Sequence, residues 1–99
     1  MELIEDINQE KVTGGSAGYD SVQFTLVEYM GERYIGAYPI RIKDNDMIED
    51  LRGFMARRRG CSASDVHFYK DDRELDGFIY NNICDGDRIK CVLPASLDY

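Results

Sequence analysis

The sequence predicts one small α+β domain, in which a single helix packs across one face of a mixed sheet. Four stretches alternate between apolar and polar residues, as half-buried strands do. Between the second and third of these stretches, apolar residues recur at helical spacing. The length of 99 residues, with 43% hydrophobic and 31% charged residues, suits one domain rather than two.

The first two strands are predicted over residues 22–30 and 34–43, with GER as the turn between them. Their inward-facing residues are expected to be Val22, Phe24 and Leu26 in the first strand, and Tyr38, Ile40 and Ile42 in the second. Pro39 lies inside the second strand and cannot donate a ladder hydrogen bond. We therefore expect this strand at an edge of the sheet.

The helix is predicted within residues 44–60. Asp46 and Glu49 have the spacing of a capping box, with Asp replacing the usual Ser or Thr. Three arginines at 57–59 complement the helix dipole, and Gly60 supplies the stop. The apolar residues at helical spacing are Ile48, Leu51 and Met55.

Two further strands complete the sheet. Residues 65–70 and 87–93 alternate, and a charged turn DDRE and a short connection with turn signals lie between them, framed by Leu75 and Ile83. The inward-facing residues are predicted to be Val66 and Phe68 in the earlier strand, and Ile89, Cys91 and Leu93 in the later one.

The chain divides into a flexible acidic arm and linker at residues 1–20, a domain at 21–94 and a short tail at 95–99. The net charge of −7 argues against general nucleic-acid binding. Residues 41–60, however, carry six Lys/Arg against four acids, a local net charge of +2. A basic region of this kind suits an acidic peptide as partner. No apolar run is long enough to span a membrane and the first residues are acidic, so we expect an intracellular protein, nuclear or cytoplasmic.

The cysteine and histidine content predicts no metal site and no cofactor. Cys61, Cys84 and Cys91 are an odd number without CxxC spacing, and His67 is the only histidine. We expect three reduced, buried thiols, because free cysteine packs as a small hydrophobic residue.

The order and spacing of these elements resemble the β-grasp fold of the ubiquitin-like superfamily over about residues 21–94. The most specific stretches are the helix DMIEDLRGFMARRRGC, the strand and turn DVHFYKDDREL, and the spacing from Ile83 to the strand containing Ile89, Cys91 and Leu93. The resemblance implies a mixed sheet of four to five strands with one main helix across one face. The loop from Leu75 to Ile83 is shorter than in ubiquitin, and the first hairpin is longer.

Within the superfamily the chain is similar to SUMO, which has a flexible arm and a groove that accepts a short hydrophobic and acidic peptide as an added strand. Asp50, where SUMO proteins tend to be basic, and Pro39 depart from that pattern, so pairing is expected to begin near Arg41. The alternative is that these charges simply form a solvated surface. ELIEDI, in the arm, has the composition of such a peptide and could reach the groove. The matching groove positions are Ile40, Arg41, Ile42, Lys43, Leu51, Met55 and Arg58.

The resemblance also implies a second possible partner surface, on the strands after the helix, where ubiquitin has an exposed apolar patch. Lys90 and the turn acids Asp71 and Asp72 make this surface more polar than that of ubiquitin. The matching positions are His67, Tyr69, Arg73, Lys90 and Val92.

The predicted function is a non-catalytic domain that recruits a protein or a short acidic-hydrophobic peptide, as a monomer or with weak self-association; the resemblance implies components of a ubiquitin or SUMO pathway as partners. His67 is expected to face outward, and GGSAG lacks the lysine and following helix of a phosphate loop. A conjugated modifier would need a C-terminal Gly-Gly, but the only such pair is Gly14-Gly15, and ASLDY follows Pro94 instead. The alternatives are a modifier whose processed terminus is missing from this chain, and a Phox/Bem-type domain that self-associates.

Overall fold

The computed structural model describes residues 2–3 and 21–95. Most of the arm for which we predicted flexibility, residues 1 and 4–20, and most of the short tail, residues 96–99, lie outside the described residues. The described part contains six strands, one α-helix and two 3-10 helices. The strands are β1 (Glu2–Leu3), β2 (Ser21–Met30), β3 (Arg33–Lys43), β4 (His67–Lys70), β5 (Arg73–Glu74) and β6 (Arg88–Leu93); the helices are α1 (Ile48–Arg59) and two 3-10 helices, Ala63–Asp65 and Ile79–Asn81.

The strands form one mixed sheet in the order β1-β3-β2-β6-β4-β5. β2 and β6 run parallel at its centre, and the other neighbouring strands are antiparallel. The apolar side of α1 packs across one face of this sheet, so the predicted α+β, ubiquitin-like β-grasp fold is confirmed. The sheet has six strands rather than four to five, because β1 and β5, of two residues each, extend its two edges.

β2 and β3 form the long first hairpin, and their predicted alternation is confirmed. Phe24 and Leu26 in β2 and Ile40 and Ile42 in β3 are buried, with Phe24 directly opposite Ile40. The turn between the strands uses Gly31 in the left-handed region, at φ +63. That conformation favours glycine, because a Cβ atom is sterically disfavoured there.

β3 is the second strand of the described sheet and not its edge, which corrects the prediction drawn from Pro39. Leu3 of β1 pairs with Ile40, and Glu2 pairs with Arg41. Both partners come after Pro39, whose missing N–H therefore does not interrupt the pairing. The backbone groups of β3 beyond the proline are what allow a further strand to be added.

The N-cap of helix α1 lies one residue after the predicted cap, Asp46. Met47 is the N-cap, and its N–H donates a 2.9 Å hydrogen bond to Oδ2 of Asp50. The predicted box of Asp46 and Glu49 is wrong by one position, because the Asp46 carbonyl accepts the N–H of Ile79 and fixes this residue in the preceding connection. The predicted C-terminal stop is confirmed: Gly60 has φ 75 and donates to the carbonyl of Ala56.

The hydrophobic core lies between α1 and the sheet. The residues predicted to face inward are all buried except Tyr38, which is half-buried. Leu75, Ile79 and Ile83 belong to the connection between β5 and β6, and they close the core beside α1. The buried cluster comprises Val22, Phe24, Leu26, Ile40, Ile42, Ile48, Leu51, Met55, Ala56, Val66, Phe68, Leu75, Ile79, Ile83, Ile89, Cys91 and Leu93.

One charged residue, Glu28 of β2, lies fully buried at the end of the core. Its carboxylate accepts two hydrogen bonds from Arg59, at 2.9 Å from Nε and 2.5 Å from Nη2. Such a bidentate pair offsets much of the cost of burying the charge. Burial, and then interaction with the nearby carboxylate of Glu28, raises the pKa of Tyr38, although the two side chains do not reach good hydrogen-bond geometry.

All three cysteines are free thiols, but they are not all buried. Cys91 is buried in β6, and Cys61 is half-buried after α1. Cys84 is exposed, so the prediction of burial is wrong for this residue, which lies in the loop before β6 and not on a core-facing strand position. Burial, and then Glu28, raises the pKa of Cys91, so this thiol stays protonated.

Candidate functional site

The groove predicted between β3 and α1 is closed by packing. Four of its seven residues belong to the core, and their side chains cannot contact a partner at the surface. They occupy the inward positions of β3 and the sheet-facing stripe of α1, so alternation and helical spacing direct them into the same interior. The four buried residues are Ile40 and Ile42 in β3 and Leu51 and Met55 in α1.

The three cations of the predicted groove remain at the surface. Arg41 is half-buried, whereas Lys43 and Arg58 are exposed. The Arg58 guanidinium lies over the ring of Tyr38, with its Cζ atom 5.1 Å from the ring centroid, a cation–π contact. The basic character expected of this region is therefore present, without the expected apolar lining.

The edge of β3 in this region carries β1, which belongs to the ELIEDI segment. Glu2 and Leu3 pair with Arg41 and Ile40 in antiparallel register. An extended segment of this chain thus adds to β3 at the position where the sequence predicts that strand addition begins. Backbone hydrogen bonding supplies the affinity in this kind of pairing, so it does not require deep side-chain pockets.

The outer sheet face is the side of β2, β4 and β6 that points away from α1. Two rows of side chains cross it, because residues paired in register share a face. One row contains Val27, Lys90 and Tyr69, and the other contains Tyr29, Val92 and His67. Four of the five residues predicted for the alternative partner surface therefore lie together: His67, Tyr69, Lys90 and Val92.

Arg73, the fifth predicted residue, does not share this face. It pairs with Lys70, whereas Glu74 is the residue opposite Tyr69. Alternation along β5 accordingly places Glu74, and not Arg73, on the outer sheet face. Nδ1 of His67 lies 2.7 Å from Oε2 of Glu74, so a carboxylate borders the surface at this point.

Sequence reasoning missed the contribution of β2 to the outer sheet face. Tyr29 is half-buried there, Nζ of Lys90 lies 4.8 Å from its ring centroid, and the ring of Tyr34 meets its edge at 5.8 Å between centroids. The available signal was the alternation of β2 itself, which places Val27 and Tyr29 opposite the core residues. What the sequence lacked was the parallel pairing of β2 with β6, which brings these residues beside Lys90 and Val92.

A shallow open cleft of about 250 Å³ lies on the outer sheet face. Asp71 and Asp72 form its rim, and both have positive φ, at 54° and 68°, in the turn between β4 and β5. Aspartate tolerates this conformation better than most residues. The cleft thus combines two tyrosine rings with charges of both signs; its lining residues are Val27, Tyr29, Tyr69, Asp71, Asp72, Arg88 and Lys90.

An ion pair closes the loop beside β6. Nζ of Lys70 lies 2.8 Å from Oδ2 of Asp87, and the same oxygen accepts the N–H of Cys84 at 2.8 Å. Burial alone would raise the pKa of Asp87, but the hydrogen bonds from Lys70 and from Cys84 outweigh it and lower that pKa. This pair fixes the start of β6.

Among residues 2–3 and 21–95, no cluster of three or more His, Cys, Asp or Glu side chains has an arrangement that could hold a metal ion. Within the same ranges, no helix is long and apolar enough to cross a membrane.

Solved structures with similar folds are ubiquitin-like domains. Caldiarchaeum subterraneum ubiquitin has a TM-score of 0.57 and 14% identity, covering 75% of this chain and 94% of that chain. The N-terminal ubiquitin-like domain in the 4931431F19Rik protein has a TM-score of 0.63 and 11% identity, covering 95% and 96%. No protein family's sequence profile matches the chain, and no curated protein matches it.

A further similar structure is a pParkin-pUb-UbcH7 complex, with a TM-score of 0.61 and 13% identity. The match covers 76% of this chain, which spans only 23% of the chain it matches in that complex. At these identities the similarity shows the fold: this chain has the ubiquitin-like β-grasp fold.

Proposed function

We propose that this chain is a non-catalytic protein-interaction domain that binds its partner through the outer sheet face. The observation that carries this proposal is the grouping of Tyr29 and Tyr69 with Lys90 around one open cleft, with Val92 next to them in register on the same face. Tyrosine combines a large apolar ring with a hydrogen-bonding hydroxyl, and it is enriched at sites that dominate binding energy.

The two tyrosines of the cleft are held in place before a partner binds. Both are half-buried, and Tyr29 lies between the ammonium group of Lys90 and the ring of Tyr34. Side chains that are already ordered lose little rotamer freedom on association, which lowers the entropic cost of binding. The surface is therefore suited to binding a folded partner without rearrangement.

The charges around the cleft determine the kind of partner. Arg88 and Lys90 lie on β6, and Asp71 and Asp72 lie at the opposite rim. We infer a partner that offers an apolar centre flanked by acidic groups on one side and basic groups on the other. Complementary charges of this kind act mainly on the association rate and on specificity, so binding is expected to slow at high salt.

A non-catalytic role agrees with the state of two of the three thiols, Cys61 and Cys91, and of the one histidine. Burial raises the pKa of both Cys91 and Cys61, which disfavours the reactive thiolate. His67 is partly exposed on the sheet and bound to Glu74, and neither cysteine is its hydrogen-bond partner. Similar structures include ubiquitin-like domains in protein complexes, as in the pParkin-pUb-UbcH7 complex, which also supports a binding role.

The test is an amide-shift titration of the full chain with a protein domain that binds the sheet face of ubiquitin. We expect shifts at Tyr69, Lys90 and Val92, and we expect Tyr69→Ser to weaken binding by about tenfold or more. Tyr80→Ser is the matched control, because Tyr80 is 56% exposed on a different surface. Equal loss of affinity in both variants, or shifts confined to other residues, would refute the proposal.

A second candidate function is supported by the pairing of β1 with β3. That pairing shows that the β3 edge accepts an extended strand next to the cations Arg41 and Lys43. We propose that an acidic-hydrophobic peptide adds to the same edge, as in the SUMO-like prediction, and that β1 competes with it.

Glu2→Pro tests this competition. Glu2 lies opposite Arg41, whose backbone groups point toward β1, and proline removes the backbone N–H of this hydrogen-bonded pair. We expect this variant to bind a synthetic acidic-hydrophobic peptide more tightly than the wild type does, with amide shifts along 40–43. Glu2→Ala also removes the charge but keeps the N–H, and it is the control. Unchanged affinity in Glu2→Pro would mean that the peptide does not use this edge.

A further inference from the structure

The start of α1 and the connection before β6 form a rigid corner of the fold, away from the outer sheet face. Residues 44–48 and 77–80 run side by side, joined by three backbone hydrogen bonds of 2.7 to 3.1 Å. Met47 and Phe78 form an antiparallel β-bridge at its centre. Because residues opposite each other in such a bridge share a face, their side chains emerge next to one another.

Three apolar side chains are exposed at this corner, and we call them the aromatic patch: Met47, Phe78 and Tyr80. Their exposed fractions are 40%, 38% and 56%. The rings of Phe78 and Tyr80 are stacked, with centroids 5.1 Å apart and planes inclined by 14°. Single exposed apolar residues are ordinary, but within residues 21–95 three of the four large exposed ones adjoin here.

The two chain segments that carry the aromatic patch are acidic in sequence, and the exposed Lys43 directly precedes the first of them. These two segments, residues 44–50 and 76–82, contain no lysine or arginine. One of their acids, Glu49, is paired with Arg52 at 2.6 Å, and its side chain is still 68% exposed. The acids of these segments are Asp44, Asp46, Glu49, Asp50 and Asp76.

We propose that the aromatic patch docks a basic segment of a partner protein, one that carries apolar side chains among its lysines and arginines. The apolar groups cover the stacked rings, while the cationic heads face the surrounding carboxylates. Arginine suits such a surface, since its guanidinium stacks on aromatic faces and forms hydrogen bonds with carboxylates. The negative charge of this corner repels nucleic acid and anionic lipid. This surface is separate from the outer sheet face and does not depend on its function.

The partner chemistry is tested with a phage-displayed library of random short peptides, selected on the full chain at low salt. The same library is counter-selected on the variant Phe78→Ser/Tyr80→Ser. Surviving peptides are expected to be enriched in Lys, Arg and apolar residues. They should bind the double variant about tenfold or more weakly than the wild type, and they should lose affinity as salt is raised.

Two further variants separate this site from others. Tyr69→Ser, on the outer sheet face, is expected to leave peptide binding unchanged. Asp76→Asn keeps both rings and removes one exposed carboxylate, so it should weaken binding without affecting folding. An amide spectrum of each variant checks the fold, and shifts in the wild type should centre on Met47, Phe78 and Tyr80.

Several outcomes would overturn the proposal. These are the survival of no peptide, survivors without an excess of basic residues, or survivors that bind Asp76→Asn as well as they bind the wild type. Sedimentation of the chain alone tests whether a second copy of the chain, and not a basic partner, occupies the aromatic patch. Concentration-dependent association that is lost in Phe78→Ser/Tyr80→Ser would assign the aromatic patch to self-association instead of to a basic partner.

Discussion

The buried pair of Glu28 and Arg59 gives the sharpest prediction about stability. Replacing Arg59 with methionine retains an apolar stem but removes the guanidinium that donates two hydrogen bonds to Glu28. Glu28 is 0% exposed, so its carboxylate cannot regain water without disturbing the core. Breaking such a pair from one side costs about 3–5 kcal/mol, because a buried charge is left uncompensated.

We expect the lower end of that range for Arg59→Met. The Arg59 side chain is 22% exposed, so the space it vacates opens toward solvent and water can partly hydrate the carboxylate. A loss of about 3 kcal/mol in the free energy of unfolding corresponds to a fall in Tm of about 12–24 °C for a domain of this size. Urea denaturation and thermal melting, both followed by circular dichroism, measure the two quantities.

Two controls isolate the buried charge as the cause. Glu28→Gln/Arg59→Met removes both charges and is expected to recover most of the loss, since no ion remains buried. Arg57→Met changes an exposed arginine in the same helical turn and should alter stability by less than about 0.5 kcal/mol. The reasoning is wrong if Arg59→Met stays within about 1 kcal/mol of the wild type, or if the double variant is no more stable than Arg59→Met.

Three further predictions concern other sites. Tyr38→Phe should change the free energy of unfolding in urea melts by less than about 1 kcal/mol, since the Tyr38 hydroxyl lies near the Glu28 carboxylate without a hydrogen bond of good geometry, and a larger loss would contradict this. Gly31→Ala should lower the unfolding midpoint more than Gly60→Ala does: φ is positive at both, but only at Gly31 would the new Cβ lie 2.7 Å from that of Ala95. The lowered pKa of Asp87 means that its ion pair stabilises the fold above the usual aspartate pKa and loses this contribution as pH falls. Asp87→Asn should therefore be less stable at neutral pH and lose less stability on acidification; an unchanged pH profile of the urea midpoint would refute this.

The fold could be predicted because its signals are local. Alternation in β2, β3, β4 and β6 and the spacing of Ile48, Leu51 and Met55 each depend on a few neighbouring residues, and the burial they predict is observed. The predicted N-cap of α1 was one residue too early, because the position of this cap depends on a contact that is not local in sequence. A hydrogen bond from Ile79, distant in sequence, holds Asp46 outside the helix.

The candidate surfaces could be predicted only in part. Tyr69, Lys90 and Val92 lie together as expected, because they occupy adjacent strands in a register that the order of elements implies. The prediction of an apolar lining for the groove was wrong. The sequence shows that Ile40, Leu51 and Met55 are apolar, but it cannot distinguish a core position from the floor of an open groove. Phe78 and Tyr80, close in sequence to buried Ile79, gave no local sign that they would be exposed.

The sequence by itself determined the four longer strands and α1, their order and the inward side of each strand, since these follow from periodicity and turn chemistry along the chain. Only the tertiary structure decided the partners across the chain: β1 on β3, Tyr29 beside Lys90, and Glu28 with Arg59. Such contacts join residues from separate elements. Their formation depends on how the sheet and α1 pack as a whole, because a residue's exposure is set by what covers it and not by its sequence neighbours.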